Sequence, residues 1–496
     1  MAEDALGRLT VEELRERARR HDIPGRSTMT KADLVEALEQ QKPDVGSRVA
    51  AFADLARRRA AGEMVFLPRQ LAGHQRRLHV RQTIREDHDT RISDDGNADA
   101  RAKFDKLHGS VFSFLRGTCL LFYRDMAGED AWMPTVLTLG DVHPENFGVM
   151  PSADDVPIFG ANDFDEAFYA PFTWDLKRGA TAFVVAAGAV GDKGPGKQRR
   201  IAESFVRGYA QAMGHFAGAS GESQRQWRQD NAPKLVRRLI EKATKESRDA
   251  YLLRKYHNEQ RSGFRADDEH VPVTSRRAEF QEALDRFVET NGIDVPARAA
   301  GMRVKDVCMR LGQGTASLGL PRYYLMVAGP AGDGSDDLLI EFKGARRSAL
   351  AGLAPPSEYV VDGAGERISH AQGVHLVRGD RFYGAVEMDG QSFMVRERSH
   401  YRESMDLGDL SGKHWRRYAH LCGESLAQSH ALSDEAGLVD HDIEPEILQA
   451  MGPIELFVTD IVAWAMEAAE RVRSDHRHFR ADHELGAFTA VDHVFR

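Results

Sequence analysis

Strand-like runs in this chain are segregated: one block holds 135–139 and 156–159, a second spans 303–397, and helical periodicity dominates 197–300 between them. Strands that alternate with helices build parallel βαβ sheets, whereas segregated blocks build α+β folds, so the pattern predicts α+β. Within the second block the runs are 303–308, 322–328, 337–342, 381–387 and 392–397, with a Pro-Gly-Asp loop at 329–337. Further helices are expected over 366–379 and 414–433, and a polar loop over 217–231. No internal repeat of about 20–50 residues is present, which excludes solenoids and propellers.

The 496 residues suffice for two or three compact units, and 42% hydrophobic with 29% charged residues is ordinary for a soluble globular chain. A net charge of -9 argues against a surface that coats nucleic acid or anionic membrane throughout, because such surfaces carry a basic excess. Cys119, Cys308 and Cys422 form no C-x-x-C pair, so neither a disulfide framework nor a zinc spacing is expected. The opening residues lack the pattern of a secretory signal, and the most apolar run, Ala180 to Val190, is too short to span a bilayer. The expectation is a cytoplasmic protein without membrane contact.

Residues 8–40 read as two short helices around a Pro-Gly turn, with Thr10 and Glu13, then Thr30 and Asp33, at capping-box spacing. Leu14, Ile23, Thr30, Lys31, Leu34 and Leu38 give this stretch the helix-extended-helix pattern that resembles SAP and Rho-N-terminal modules, many of which bind nucleic acid. That resemblance implies a nucleic-acid or protein partner for a module at 1–42, joined to the rest by the linker 40–47.

The sharpest signal is VLTLGDVHPENFGVM at 136–150, followed by VPIFGANDFDEAFYAPFTWDLKR at 156–178. One strand delivers Asp141, His143 and Asn146, and a second delivers Asp163 and Asp165. Phosphoryl transfer needs a carboxylate at the acceptor and oxygen ligands that hold magnesium against the phosphates, and these residues supply both. Gly312, Gly314 and Gly319, with Thr315 and Ser317 between them, read as a phosphate-covering hairpin, and Lys343 follows on a later strand.

The series G-D-x-H-x-x-N, D-F-D and W-D-L resembles the catalytic and metal loops of the aminoglycoside-phosphotransferase branch of kinase-like enzymes. More closely, the chain resembles the domain of unknown function 2252 family from about residue 105 to 432, through FSFLRG at 112–117, GDVHPENFG at 140–148, NDFDEA at 162–167, WDLKR at 174–178, GQGTASLGLPRYYLM at 312–326, EFKGARRS at 341–348 and LAQSHALS at 426–433. The kinase resemblance implies ATP and Mg²⁺, with Asp141 the catalytic acid, Asn146 and Asp163 metal ligands, and Lys343 on the α- and β-phosphates. Asp165 either assists the metal or caps the next turn. His143 is expected to orient the loop, and Asp175 to bury its carboxylate against the loop N–H groups.

The lysine lobe follows the catalytic loop here, whereas kinases place it first. The expectation is therefore a two-lobed kinase-like fold, circularly permuted: a helical lobe at 49–300, a strand-rich nucleotide lobe at 301–404 and completing helices at 405–496. Where the resembling family carries an acid on the helix beside the lysine, this chain has His370, with Glu366 about one turn earlier as a possible substitute. The departure keeps a non-catalytic nucleotide-binding regulator open beside an enzyme transferring to a small-molecule or protein acceptor, with nucleotidyl transfer as a variant. Arg116 either clamps an acceptor anion or pairs with an internal acid such as Asp165. Arg396 and Arg398 either face the nucleotide or the lobe interface or, as the default expectation, form surface salt bridges, and the stretch 475–483, with His476, His478 and His483, is expected as a solvated polar tail.

Overall fold

The computed structural model describes residues 10–20, 23–40, 48–65, 67–89, 97–219, 221–312 and 320–488. Helices α1 (Val11–Arg20) and α2 (Lys31–Gln40) form the N-terminal unit. Leu14, Ala18, Ile23 and Leu34 make a small cluster of their own between them. The α2 start is capped reciprocally: Thr30 N donates to Asp33 Oδ2 at 2.9 Å and Asp33 N to Thr30 Oγ1 at 3.3 Å.

The main body begins with α3 (Arg48–Ala60), α4 (Gly73–Asp89), α5 (Asn97–Gly109), α6 (Val111–Gly117) and α7 (Cys119–Met126). Strand β1 (Thr135–Thr138) then leads through a short 3-10 turn into β2 (Phe147–Pro151), which forms a hairpin with β3 (Pro157–Ala161), and β4 (Phe168–Pro171) returns to pair antiparallel with β1. Two of these strands, β2 and β4, are not visible as strand-like runs in the sequence, because Gly148, Pro151 and Pro171 interrupt their apolar pattern.

Helix α8 (Phe172–Ala189) is buried on nearly every face. A helix apolar all round belongs in the interior, which accounts for the run Ala180 to Val190. Against it pack α9 (Pro195–Ala219), whose Pro195 sits at the first helical position, and the long C-terminal helix, whereas α10 (Lys234–Ala243) lies against β2 and β3, and α11 (Arg248–Lys255) joins Tyr251 and Leu252 to a separate cluster with Tyr324, Met326 and Leu339.

The second block is a six-stranded antiparallel sheet built from β5 (His270–Pro272), β6 (Val304–Arg310), β7 (Arg322–Val327), β8 (Leu338–Gly344), β9 (Gly384–Met388) and β10 (Gln391–Glu397), in the order β5-β6-β7-β8-β10-β9. Helix α12 (Arg277–Thr290) lies on one face, where Phe280, Leu284 and Phe287 meet Val307, Leu325, Ile340 and Phe342. Because side chains alternate along β8, Leu339, Glu341 and Lys343 point to the opposite face. Helix α12 precedes residue 301, so this unit draws on residues that the sequence pattern assigns to the helical lobe. Helix α13 (Ala364–His375) connects β8 to β9 and packs against β9 and β10.

From β10 the chain passes through the short β11 (Glu403–Ser404), an edge partner of β2, into α14 (Gly412–Glu435), α15 (Ile443–Met451) and α16 (Ile454–Glu484). Helices α9 and α14 touch through a reciprocal pair of glycines. A Cβ on Gly208 would stand 2.2 Å from the His420 carbonyl oxygen, and one on Gly423 2.1 Å from that of Phe205. The stretch 475–483 belongs to α16 and is not a solvated tail. Asp475 and Asp482 are buried; Arg76 of α4 donates to Asp475 Oδ1 at 2.9 Å, and Arg77 to Asp482 Oδ1 at 2.8 Å. Helical spacing turns these acids inward on the face that meets α4, which the list of residue types alone does not reveal. Among the described residues no single helix is long and apolar enough to cross a membrane, and all three cysteines are free and buried.

Candidate functional site

The loop after β1 is held from beneath by the first turn of α8. Asp175 is fully buried there, and its carboxylate accepts from Leu139 N at 2.6 Å and Gly140 N at 3.0 Å. His430 of α14 approaches the same carboxylate with Nε2 at 3.1 Å, and its Nδ1 lies 2.9 Å from the Tyr209 hydroxyl of α9. Three helices therefore fix where the loop leaves the strand. Gly140 has φ +75°, and a Cβ there would lie 2.1 Å from the carbonyl oxygen of Glu166. The two acid-bearing loops thus meet backbone to backbone at a point where only glycine fits.

Asp141 comes next. Arg178, three residues beyond Asp175 on α8 and so on the same helix face, donates to Asp141 Oδ1 from Nη2 at 2.7 Å and Nε at 3.1 Å, and to Leu115 O at 2.8 Å. Burial raises the Asp141 carboxyl to about 6 even though Arg178 opposes the shift, and the charges of Glu166 and Asp163 add to it. His143 accepts from Glu145 N at 3.2 Å, capping the 3-10 turn, with its Nε2 3.8 Å from Asp141 Oδ2. Burial, then Arg116 and Arg178, hold its imidazole well below the usual range. Asn146 donates its amide to the Asp141 carbonyl at 2.8 Å, which closes the loop on itself.

The second loop, 162–167, carries Asp163 and Asp165 alongside the first, and Asn162 N donates to the Asn146 carbonyl at 3.1 Å. Lys343 from β8 pairs with Asp165 and stands 3.9 Å from Asp163 Oδ1. Burial alone would raise Asp165, but Lys343 outweighs it and the carboxyl is held below its ordinary value. Asp163, with 44% of its side chain exposed, is pushed upward by its low-dielectric surroundings and then by Asp165. Arg367 of α13 fastens this loop from behind, donating to Ala167 O at 2.5 Å, Asp165 O at 2.7 Å and Arg346 O at 2.9 Å. Glu166 points the other way and pairs with Arg346.

Several expected residues take other roles. Glu366 is exposed on the first turn of α13 and, among the described residues, forms no ion pair with Lys343; the neighbouring Arg367 holds the inward face of that turn. His370 turns to Tyr169 of β4, Nε2 to hydroxyl 3.0 Å. Arg116 pairs with Glu145 rather than Asp165, because α6 ends beside the 3-10 turn. Arg396 is buried, not at the surface, with Nε 2.6 Å from Glu341 Oε2. Gly312 follows β6 with φ +70°, and its carbonyl accepts from Lys106 Nζ at 3.2 Å. Gly314, Thr315, Ser317 and Gly319 lie outside the described residues.

Arg178, Glu166, His430 and Glu341 were not singled out in the sequence. Arg178 was detectable at the i+3 position from Asp175. The others become visible only when distant elements meet.

No curated protein and no solved structure matches this chain. Residues 5–46 match the Rho termination factor, N-terminal domain. Residues 97–482 match the model of a family described as uncharacterized protein conserved in bacteria (DUF2252). Because that second match spans most of the chain, both acidic loops and the lysine strand included, the protein belongs to the DUF2252 family.

Proposed function

We propose that the protein is an ATP- and Mg²⁺-dependent phosphotransferase with a circularly permuted kinase-like arrangement. The observation that carries this reading is the 3.9 Å approach of Lys343 Nζ to Asp163 Oδ1, across 180 residues of sequence and from two separate elements, β8 and the 162–167 loop. Support also comes from the order glycine segment, lysine strand, helix, two strands, and α14.

The donor set suits a hard cation. Asp163 offers a partly exposed carboxylate, and Asn146, whose amide N–H is engaged by Asp141, keeps its carbonyl oxygen to offer. Bound there with Asp165 assisting, Mg²⁺ would neutralise phosphate charge. Lys343 neutralises the phosphates beside it. Asp141, held by Arg178 through one oxygen, keeps the other to orient the acceptor hydroxyl and take its proton. The acceptor oxygen forms a bond to the γ-phosphorus as the bond to the bridging oxygen breaks, and ADP leaves.

Purified protein with Mg²⁺ and γ-labelled ATP tests this. Transfer or hydrolysis that falls by about two orders of magnitude or more in Asp163→Ala supports the enzyme. A second reading, a nucleotide-binding regulator without turnover, is favoured by the departure at the lysine: Lys343 pairs with a loop aspartate and not with a helix glutamate. Binding of ATP without turnover would select it. The Rho-type segment supports recruitment of either protein to nucleic acid.

A further inference from the structure

Beside Lys343, on the same face of the sheet, there is more positive charge than the acids there neutralise. Glu341 precedes Lys343 by two residues on β8 and shares its face, about 6.6–6.8 Å along the strand. It is fully buried, with Arg322 of β7 at 3.3 Å, Arg396 of β10 at 2.6 Å and Arg398 at 4.0 Å. Arg402, between β10 and β11, adds a fourth positive charge that acts on the same carboxylate. Lys343 next to them is already matched to Asp165.

The other nearby acids are engaged elsewhere. Glu397 is held by Arg298 at 2.6 Å and Arg248 at 2.9 Å, and Glu403 by Lys242 at 2.9 Å. Asp380 accepts from the backbone N–H of Phe382 at 3.0 Å and of Glu397 at 2.7 Å, and burial followed by the Glu397 charge pushes its carboxyl up to about 7. Arg402 has no hydrogen bond or ion pair among the described residues. Burial, then Arg398 and Arg396, lower its guanidinium to about 9, so at neutral pH it still carries a charge that its surroundings disfavour. Arg402 and Arg396 line one cavity together with Asn162, Tyr383 and the three acids just named, Asp380, Glu397 and Glu403, opening between the sheet and the β2–β3 hairpin.

We propose that this cavity is a binding site for a phosphate-bearing group, with Arg402 and Arg396 donating to its oxygens. Four guanidinium groups around one carboxylate are costly to bury unless an anion completes them, and the planar guanidinium fork suits phosphate. The site is distinct from the Lys343 and Asp163 pair and stands whether or not the protein turns over ATP. The phosphate belongs either to a nucleotide or to a second ligand, two sources that competition with ATP separates.

Inorganic tripolyphosphate, titrated calorimetrically without Mg²⁺ into the full chain, is the direct probe. Wild type should bind it, Arg402→Met should weaken binding at least tenfold, and Arg402→Lys should retain more of it than Arg402→Met. Because the Met variant removes like-charge crowding, its Tm should equal or exceed that of wild type, which separates lost binding from lost folding. Equal affinity in wild type and Arg402→Met, or no binding of either tripolyphosphate or ATP by wild type, would overturn the site. Displacement of tripolyphosphate by ATP assigns the site to nucleotide phosphates, and simultaneous binding assigns it to a second ligand; both support it. Arg402-dependent tripolyphosphate binding in a protein that shows no ATP turnover would sink phosphoryl transfer and leave this site intact.

Discussion

Asp175 takes up two loop N–H groups and faces an imidazole, all without contact with water. Leaving two buried N–H groups without an acceptor costs about 1–3 kcal/mol each, so Asp175→Ala should destabilise the protein by about 2–6 kcal/mol in urea denaturation. Asp175→Asn, which keeps one carbonyl oxygen, should cost about half as much. The relation between this residue and the loop could be read from the sequence, because an acid at a helix start lies within reach of N–H groups left unpaired nearby. Partners across elements could not be read this way. Arg116 selects Glu145, and Lys343 selects Asp165, only because α6 and β8 arrive where they do. Sequence spacing reports neighbours on one helix or strand and is silent on which loop a lysine meets 178 positions away.

At the level of elements, the contact between α9 and α14 depends on backbone touching backbone. A methyl group at Gly423 would force the helices apart, and overpacking of this kind costs about 1–3 kcal/mol or more. Gly423→Ala should lower Tm by several degrees, and it should also impair whatever activity the loop supports, since Tyr209 and His430 reach Asp175 from these two helices. The junction of α14 and α15 offers a pH test. Asp434, Asp442 and Glu444 bring carboxylate oxygens within 4.8 Å of one another. Burial, then Asp442, raise Glu444 to about 8. Its ordinary value is about 4.3, so the folded state binds the extra proton between these limits. Stability from this group is therefore complete below about pH 4 and lost as pH rises through about 8. Glu444→Gln, which mimics the protonated form, should raise Tm at pH 8 and change it little at pH 5 by calorimetry. Strands 322–328, 337–342 and 392–397 were legible in the sequence because alternation and β-branched or aromatic residues persist through each. The helices before residue 126 and after 443 were less so, because arginine and histidine on their buried faces conceal the apolar stripe.

For the whole molecule, the N-terminal pair of helices has its own apolar cluster, separate from the main core. A chain lacking residues 1–47 should keep the Tm of the parent, and comparing the two by calorimetry checks this. The main core, in contrast, joins residues from α3 to α16. Asp175 waits for His430, 255 positions later, and Leu137 N waits for the hydroxyl of Ser433, which accepts from it at 3.0 Å. At about 5–20 residues per second, a ribosome that has just made Asp175 needs roughly 13–50 s to supply that histidine. Throughout that interval the nascent chain exposes apolar surface that only its final quarter can cover, so translation that stalls in the sheet-forming segment should yield chains dependent on chaperones and prone to aggregate.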